Sequence, residues 1–571
     1  MKEESKKFHI GIGLIFLCSM CIYGTWVTCF TAPVHVKVDE ELYLGLARTF
    51  HYQGFFGMGK QTYSYSCVLY SMLISIAYFW YTPEKILLLM RMINVFTLCS
   101  AAFPIGLLAV NILETRKLAL RVTAFLMFFP YMFNCAYFMQ EVLCYPLFMW
   151  TVYFLYSAKK MQSILRYVIA AGFSVLCLYT KTNMFFIPII VNVYVLLELI
   201  LQKDVKENWK REIRNILFFD GSYVALSGVF YLALQMINGF ERGVNHYERQ
   251  LSWLFPVEWK TLGLGIIECI LYASLFLVNM GIIPIYVCCH NKRKMDKATK
   301  YSFSFVGLSS AFMILETVFL IVLTEEGLQS LPHKFLFRYF QIFLPIYFLI
   351  YFKFYEEYTY FKEKAVLGIT WGSILVCTIY FSVMNGNTHQ AIMDGYFFLI
   401  IENITKYICP YADIAILILI GLFITAVAIA TAKGKLDGNK VCKNAVCTVV
   451  IMMGLINFIQ LPLYTNKIAE GRQIQDDGIE IAEFLNQEGC NYIYYVDDGD
   501  PDNHYLKNVY GYLKQQYEVI DKDDMLNKMK DCPDKTAFLV PKSSLEEMDL
   551  EEEKLKTKRI TVIETESRNR K

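Results

Sequence analysis

The residues best equipped for chemistry lie in one acidic stretch, Asp39-Glu40-Glu41-Leu42-Tyr43-Leu44-Gly45-Leu46-Ala47, directly after the first long apolar run. Ionisable side chains at the edge of a bilayer are costly unless paired, so three consecutive acids there invite a functional reading. In a helix, Asp39, Tyr43 and Ala47 share a face through their four-residue spacing, while Glu40 points to an adjoining one. One or two carboxylates could then face a buried space, where a carboxylate can accept a proton. The competing reading is an interfacial helix start whose acids complement the helix dipole. Further charged groups occupy separate short connectors. Glu141 follows Gln140 in one, Lys181 lies within Tyr179-Thr180-Lys181-Thr182-Asn183, and His333, Lys334, Arg338 and Tyr339 fall within residues 331–340, ahead of Pro345. Taken singly, each is a turn residue snorkelling toward water. What matters is whether the chain carries them all to one side.

The elements that must position them are membrane helices. Of the 571 residues, 56% are hydrophobic, 16% aromatic and only 19% charged, and the mean hydropathy is +0.38; no soluble domain of this length needs so much apolar surface. A short basic lead over residues 1–7 precedes an apolar run over 8–30 that is too long for a signal-peptide core and lacks small residues at both cleavage positions. It reads as an uncleaved first span, with the N-terminus expected in the cytoplasm and residue 31 emerging outside. Lys/Arg-rich connectors recur at 116–117, 159–160, 203–214, 292–300, 353–364 and 433–443, each expected to be cytoplasmic. The apolar runs between them are 86–113, 118–138, 142–157, 164–179, 185–201, 216–238, 263–289, 302–323, 339–354, 365–384, 412–431 and 442–463. The total is about thirteen spans. The odd count puts the tail outside, and a long first outer loop covers residues 31–85. Within that loop the apolar segment 67–81 is short for a crossing and reads as a helix on or dipping into the membrane. Glu141, Lys181 and the 331–340 loop then all face outward with the acidic stretch.

The division expected is a membrane domain over 1–463 and a small extracytoplasmic α/β domain over 464–571. The tail carries roughly eight more acids than bases, so the membrane part is basic, and no exposed basic stripe remains to bind a nucleic acid. In the tail, an amphipathic helix is expected over 474–485 and β-branched or aromatic strands over 491–496, 517–520, 537–540 and 560–563. The 17 cysteines lie mostly inside apolar runs, where a thiol behaves as a small hydrophobe, and they form no paired framework; Cys490 with Cys532 is the one tail pairing open. Asp497-Asp498-Gly499-Asp500 follows a strand and reads as a solvated turn more readily than as a divalent-cation site. Residues 54–61 approach a phosphate-binding loop, but Gln61 stands where Ser or Thr is required and no strand precedes. Cys18 and Cys21 have metal-type spacing inside a span with no second pair, and His35, His51 and Glu40 share no ligand spacing. Asn403-Ile404-Thr405 is a glycosylation sequon on the outer side.

Asp39-Glu40-x-x-Tyr43-x-x-x-Ala47 after the first span, the long first outer loop with its apolar helix, Arg91 early in the second span, and Arg338-Tyr339 before Pro345 together resemble the GT-C membrane glycosyltransferases. The layout is most similar to the protein O-mannosyltransferase and lipid A aminoarabinose transferase families. The resemblance covers Met1 to Leu463 and departs from the family at Gln140-Glu141, where an Asp is common. It implies transfer of a sugar from a polyprenyl-phosphate carrier to a hydroxyl on a lipid, glycan or protein acceptor at the outer face, in the bacterial plasma membrane. It also implies inversion, with Asp39 as general base and Glu40 or Glu141 orienting the sugar or stabilising positive charge. Arg338 would contact the leaving phosphate, supported by Lys181 and His333, with Tyr43, Arg91 and Tyr339 lining the substrate site. No cofactor is implied with certainty, and a divalent metal stays open. The alternative is a transporter or flippase of lipid-linked glycans, against which stands the absence of an internal repeat.

Overall fold

The structure, a computed structural model, describes residues 2–30, 38–58, 61–62, 67–80, 82–113, 115–201, 209–238, 259–280, 282–322, 337–355, 364–384, 412–433, 437–467, 469–497, 509, 512–532, 535–542, 555–557 and 560–564. Among these, five helices are long and apolar enough to cross a membrane, beginning with Glu3–Cys29, and a bent pair from Leu262 to Arg293 makes a sixth. Leu217, Val224, Val229 and Met236 are exposed along the helix Trp209–Ile237. Such a surface is stable only against lipid, and the chain is an integral membrane protein.

The thirteen runs read as spans are not thirteen uninterrupted helices. The run 118–138 is the clearest departure: a helix over Arg116–Leu126 stops and a 3-10 segment follows over Pro130–Ala136. Pro130 has no amide proton to donate and forces Phe129 into an extended conformation, so the helix cannot continue through it. The Met127 carbonyl freed at the break accepts a hydrogen bond from Tyr23 Oη at 3.0 Å, and Trp26 Nε1 ties the first helix to the Phe458 carbonyl at 2.9 Å. Among the other runs, 86–113 turns at Ser100 and Ala101, 263–289 is a bent pair of helices, 302–323 ends in a π-helical segment and 339–354 opens in 3-10 turns, and several are too short to pass as spans alone. Thr115 and Asp296 cap helices, Asp296 accepting from the Ala298 and Thr299 amides at 3.1 and 2.9 Å. The apolar segment of the first loop forms a helix over Leu69–Ser75 and a 3-10 turn over Ile76–Trp80, with Phe79 and Trp80 exposed.

The tail carries a five-stranded sheet whose strands match the expected runs: Tyr492–Asp497, Gln516–Asp521, Thr536–Pro541 and Ile560–Glu564, plus the short Leu555–Lys556. The first three strands are parallel, with Tyr492–Asp497 in the middle, and Ile560–Glu564 joins antiparallel. The alternation of side chains divides the sheet. Tyr494, Val496, Ile520, Phe538 and Ile563 pack together with Met525 of the helix Lys522–Asp531, while Ile493, Tyr495, Tyr517, Leu539 and Val562 face the other way, into a core continuous with the membrane body. That core includes Ile481 and Leu485 of the helix Ala469–Glu488, which contains the amphipathic run.

Lys159, read as part of a basic connector, is buried. Its Nζ lies 2.7 Å from Glu198 Oε2 and 3.1 Å from Glu212 Oε2, and Tyr194 Oη donates to the other Glu198 oxygen at 2.8 Å. The pairing joins three helices at one end of the bundle and explains why a lysine at this position leaves water. Removing the cation strands two carboxylates in a dry site, so Lys159→Met is expected to cost about 3–5 kcal/mol. Thermal unfolding in detergent measures it; a variant as stable as the wild type would show that the trio is not a joint of the fold.

Candidate active site

Glu141 is the first residue of the helix Glu141–Met161, where a carboxylate complements the helix dipole. Lys181 occupies the opposite kind of position, closing the helix Ile164–Thr180 in an extended conformation before the 3-10 turn Thr182–Phe185. The two meet, with Lys181 Nζ 2.5 Å from Glu141 Oε1. Arg338 comes from a third element, the 3-10 turn Phe337–Tyr339, and its Nε lies 3.2 Å from the same oxygen. Tyr339 stacks under both cations, its ring centre 3.7 Å from Lys181 Nζ and 5.3 Å from Arg338 Cζ. The helix restarts at Leu344 with Pro345 in its first turn, a position where a missing amide proton does no harm. One acid thus holds two cations in a buried cluster that keeps an excess positive charge, a setting in which an anion is favoured.

A second charged group lies beside it. Glu40, in the helix Val38–Gln53, is fully buried, and its Oε1 accepts the Phe138 amide at 2.9 Å. It is within electrostatic range of Arg91, whose guanidinium lies 5.6 Å above the Phe138 ring. Tyr70 bridges the two groups, being within electrostatic range of Glu40, Glu141 and Arg91. Its hydroxyl donates to Asn94 Oδ1 at 3.0 Å, Asn94 Nδ2 donates to the Tyr137 carbonyl at 3.0 Å, and its ring meets Tyr43 edge-on at 5.7 Å. Gln140 Nε2 donates to the Cys67 carbonyl at 3.0 Å, fixing the first loop to the turn that carries Glu141.

The tail closes over this region. Arg48, on the same helix as Glu40, is buried; its Nε donates to the Leu513 carbonyl at 2.6 Å and its guanidinium lies 4.8 Å from the Tyr517 ring. Tyr512 is within electrostatic range of Arg91, and burial pushes its hydroxyl well above the ordinary tyrosine value, so it stays protonated. Gly478 is required beneath it, since a Cβ there would approach the Tyr512 ring to 2.5 Å.

The arrangement of an N-terminal membrane bundle joined to a small tail sheet also matches a solved structure. The chain shares its fold with ArnT. ArnT from Cupriavidus metallidurans bound to undecaprenyl phosphate superposes with a TM-score of 0.55 at 11% identity, over 96% of this chain and 97% of that one. The apo state of the same protein gives 0.52 at 13% identity, over 97% and 98%. No protein-family model matches the chain, and no curated protein matches it in sequence. The ArnT-like fold meets the GT-C-like expectation for the architecture, at an identity that speaks for fold alone.

Of the residues singled out in the sequence, Glu141, Lys181, Arg338 and Tyr339 form one cluster, and Glu40, Tyr43 and Arg91 lie in the group beside it. Asp39 is in the helix Val38–Gln53, but its side chain falls outside the described residues, as do His333, Asp498, Asp500 and the Asn403 sequon. Among the described residues no three His, Cys, Asp or Glu side chains gather as a metal site would require. Tyr70, Asn94, Arg48 and Tyr512 escaped sequence reasoning. For Asn94 a signal existed: it follows Arg91 by three positions, placing two polar groups on one face of an apolar helix. If Glu141 is the shared counter-charge, Glu141→Gln and Lys181→Met should each destabilise the protein by about 3–5 kcal/mol, and the double variant should lose clearly less than the sum. Detergent melting of the four proteins reads the coupling; strictly additive losses would mean that the pair does not interact.

Proposed function

We propose that this protein is a GT-C-type glycosyltransferase that moves a sugar from a polyprenyl-phosphate carrier to an acceptor hydroxyl on the outer membrane face. The observation that carries the reading is the buried cluster of Lys181 and Arg338 on Glu141, beside the Glu40 and Arg91 group, on a fold shared with ArnT, which is solved with undecaprenyl phosphate. A carrier phosphate is an anion with three oxygens, and a rigid Arg with a neighbouring Lys is suited to hold it as negative charge develops on departure.

The reaction is a single displacement. The acceptor oxygen attacks the anomeric carbon, the bond from that carbon to the phosphate oxygen breaks, and the acceptor proton passes to a carboxylate, leaving the anomeric centre inverted. Glu141 is already engaged by two cations and Glu40 by the Phe138 amide, so both suit charge and position better than proton transfer. Asp39 is therefore the base in this mechanism, four residues ahead of Tyr43 on the same helix. Arg338 takes the carrier phosphate, Lys181 and His333 assist, and Arg91 with Glu40 orients the sugar side. The topology that fits has a cytoplasmic N-terminus and an extracytoplasmic tail over 464–571, with the membrane part over 1–463 in the plasma membrane. The acceptor is a hydroxyl of a lipid, glycan or protein.

Purified protein given an undecaprenyl-phosphate-linked sugar and candidate acceptors should form product, and Asp39→Asn should slow transfer at least about a hundredfold with the melting temperature preserved. Transfer at the wild-type rate by that variant would falsify the base assignment. Arg338→Ala should weaken binding of the bare carrier by about tenfold or more, measured by ligand-induced thermal shift; an unchanged shift would place the phosphate elsewhere.

A further inference from the structure

The acids and cations described so far do not account for every buried polar group at this end of the bundle. Glu316 ends the helix Lys297–Glu316 with only 6% of its surface exposed, and its Oε2 has no hydrogen-bond partner among the described residues. Thr317, fully buried, opens a π-helical segment over Thr317–Val322, and its Oγ1 is likewise without a partner among them. Asn183 is 5% exposed; its Nδ2 reaches Met313 Sδ at 3.7 Å, while its Oδ1 has no partner among the described residues. The three belong together. Met313 precedes Glu316 and Thr317 by three and four positions, so all lie on one helix face, and the Asn183 contact brings that amide to it. Asn183 is two residues from Lys181, and the Glu316 carboxyl is within electrostatic range of the Lys181 ammonium. A π-helical turn in a membrane helix commonly marks a functional site, because it re-aims side chains at the expense of regular hydrogen bonding.

Buried oxygens that find no partner among the described residues favour a ligand that brings donors. A sugar hydroxyl both donates and accepts, so it can pair with the Asn183 amide oxygen, the Thr317 hydroxyl and the Glu316 carboxyl alike. The nearby ammonium of Lys181 disfavours a second cation, so the fitting ligand is neutral and rich in hydroxyls. We infer that Asn183, Glu316 and Thr317 form the pocket that recognises the hydroxyls of a neutral transferred sugar, adjoining the phosphate-holding pair of Lys181 and Arg338. This rests on the reading of the protein as a polyprenyl-phosphate sugar transferase and adds to it a class of sugar and the residues that select it.

The test compares binding of three probes to the full-length protein in detergent: bare undecaprenyl phosphate, the same carrier bearing a neutral pentose or hexose, and the same carrier bearing an amino sugar. A neutral-sugar carrier is expected to bind at least tenfold more tightly than the bare carrier, and the amino-sugar carrier without that advantage. Glu316→Gln, which keeps the side-chain shape, should cut the advantage at least fivefold while leaving affinity for the bare carrier unchanged; Thr317→Val should do the same to a smaller degree. The inference is overturned if the neutral-sugar and bare carriers bind the wild type equally. It is overturned too if the amino sugar gains the advantage, or if the advantage survives in both variants. Loss of bare-carrier binding in Glu316→Gln would also overturn it, since the residue would then serve the phosphate or the fold. A wild type that binds neither bare nor glycosylated carrier would instead overturn the transferase reading, and the pocket with it.

Discussion

Everything at the tail end of the bundle depends on the burial of Glu141 against two cations. A carboxylate taken out of water is stable only if its charge is met, and here Lys181 and Arg338 meet it from two other segments of the chain. Each partner needs the other two, which fixes the relative positions of the helix Glu141–Met161, the end of the helix Ile164–Thr180 and the turn Phe337–Tyr339. Tyr339 completes the constraint by covering the ammonium with its ring face. The remaining site groups are arranged around that fixed point, with Tyr70 spanning the distance from Glu141 to Glu40 and Arg91.

Regular helices would not have left room for such an arrangement. The break at Pro130, the 3-10 turns at Thr182–Phe185 and Phe337–Tyr339, and the π-helical segment after Glu316 all interrupt helices that composition alone would run straight through the bilayer. Irregular backbone within a membrane protein is tolerated where protein groups satisfy it, as Tyr23 does for the Met127 carbonyl. The interruptions serve the site by turning side chains inward at helix ends, where dipoles already favour an acid at Glu141 and a base at Lys181.

Much of this was legible in the sequence. Apolar runs and basic connectors located the helices, and alternating apolar residues located the tail strands to within a residue or two. Glu141, Lys181, Arg338 and Tyr339 were visible because charged residues in short connectors stand out against an apolar chain. Pairings through tertiary structure were not. Nothing local distinguishes Arg48 from a solvated helix arginine or Lys159 from a connector lysine, because their partners lie far along the chain. The helix breaks were hidden for a related reason, since hydropathy counts residues without asking whether their backbone can stay helical. Glu316 did leave a trace, as an acid inside a run otherwise fit to span.

Arg48 and the Leu513 carbonyl it contacts are separated by 465 positions. Ribosomal synthesis makes the helix bearing Glu40 well before the segment that seats Arg48. The first-loop helix therefore has to wait through translation of nearly the whole membrane body before its buried guanidinium finds its acceptor. The seat of Arg48 is thus set by a segment made long after the helix that carries it, and a bundle made without that segment would lack the acceptor of a buried guanidinium.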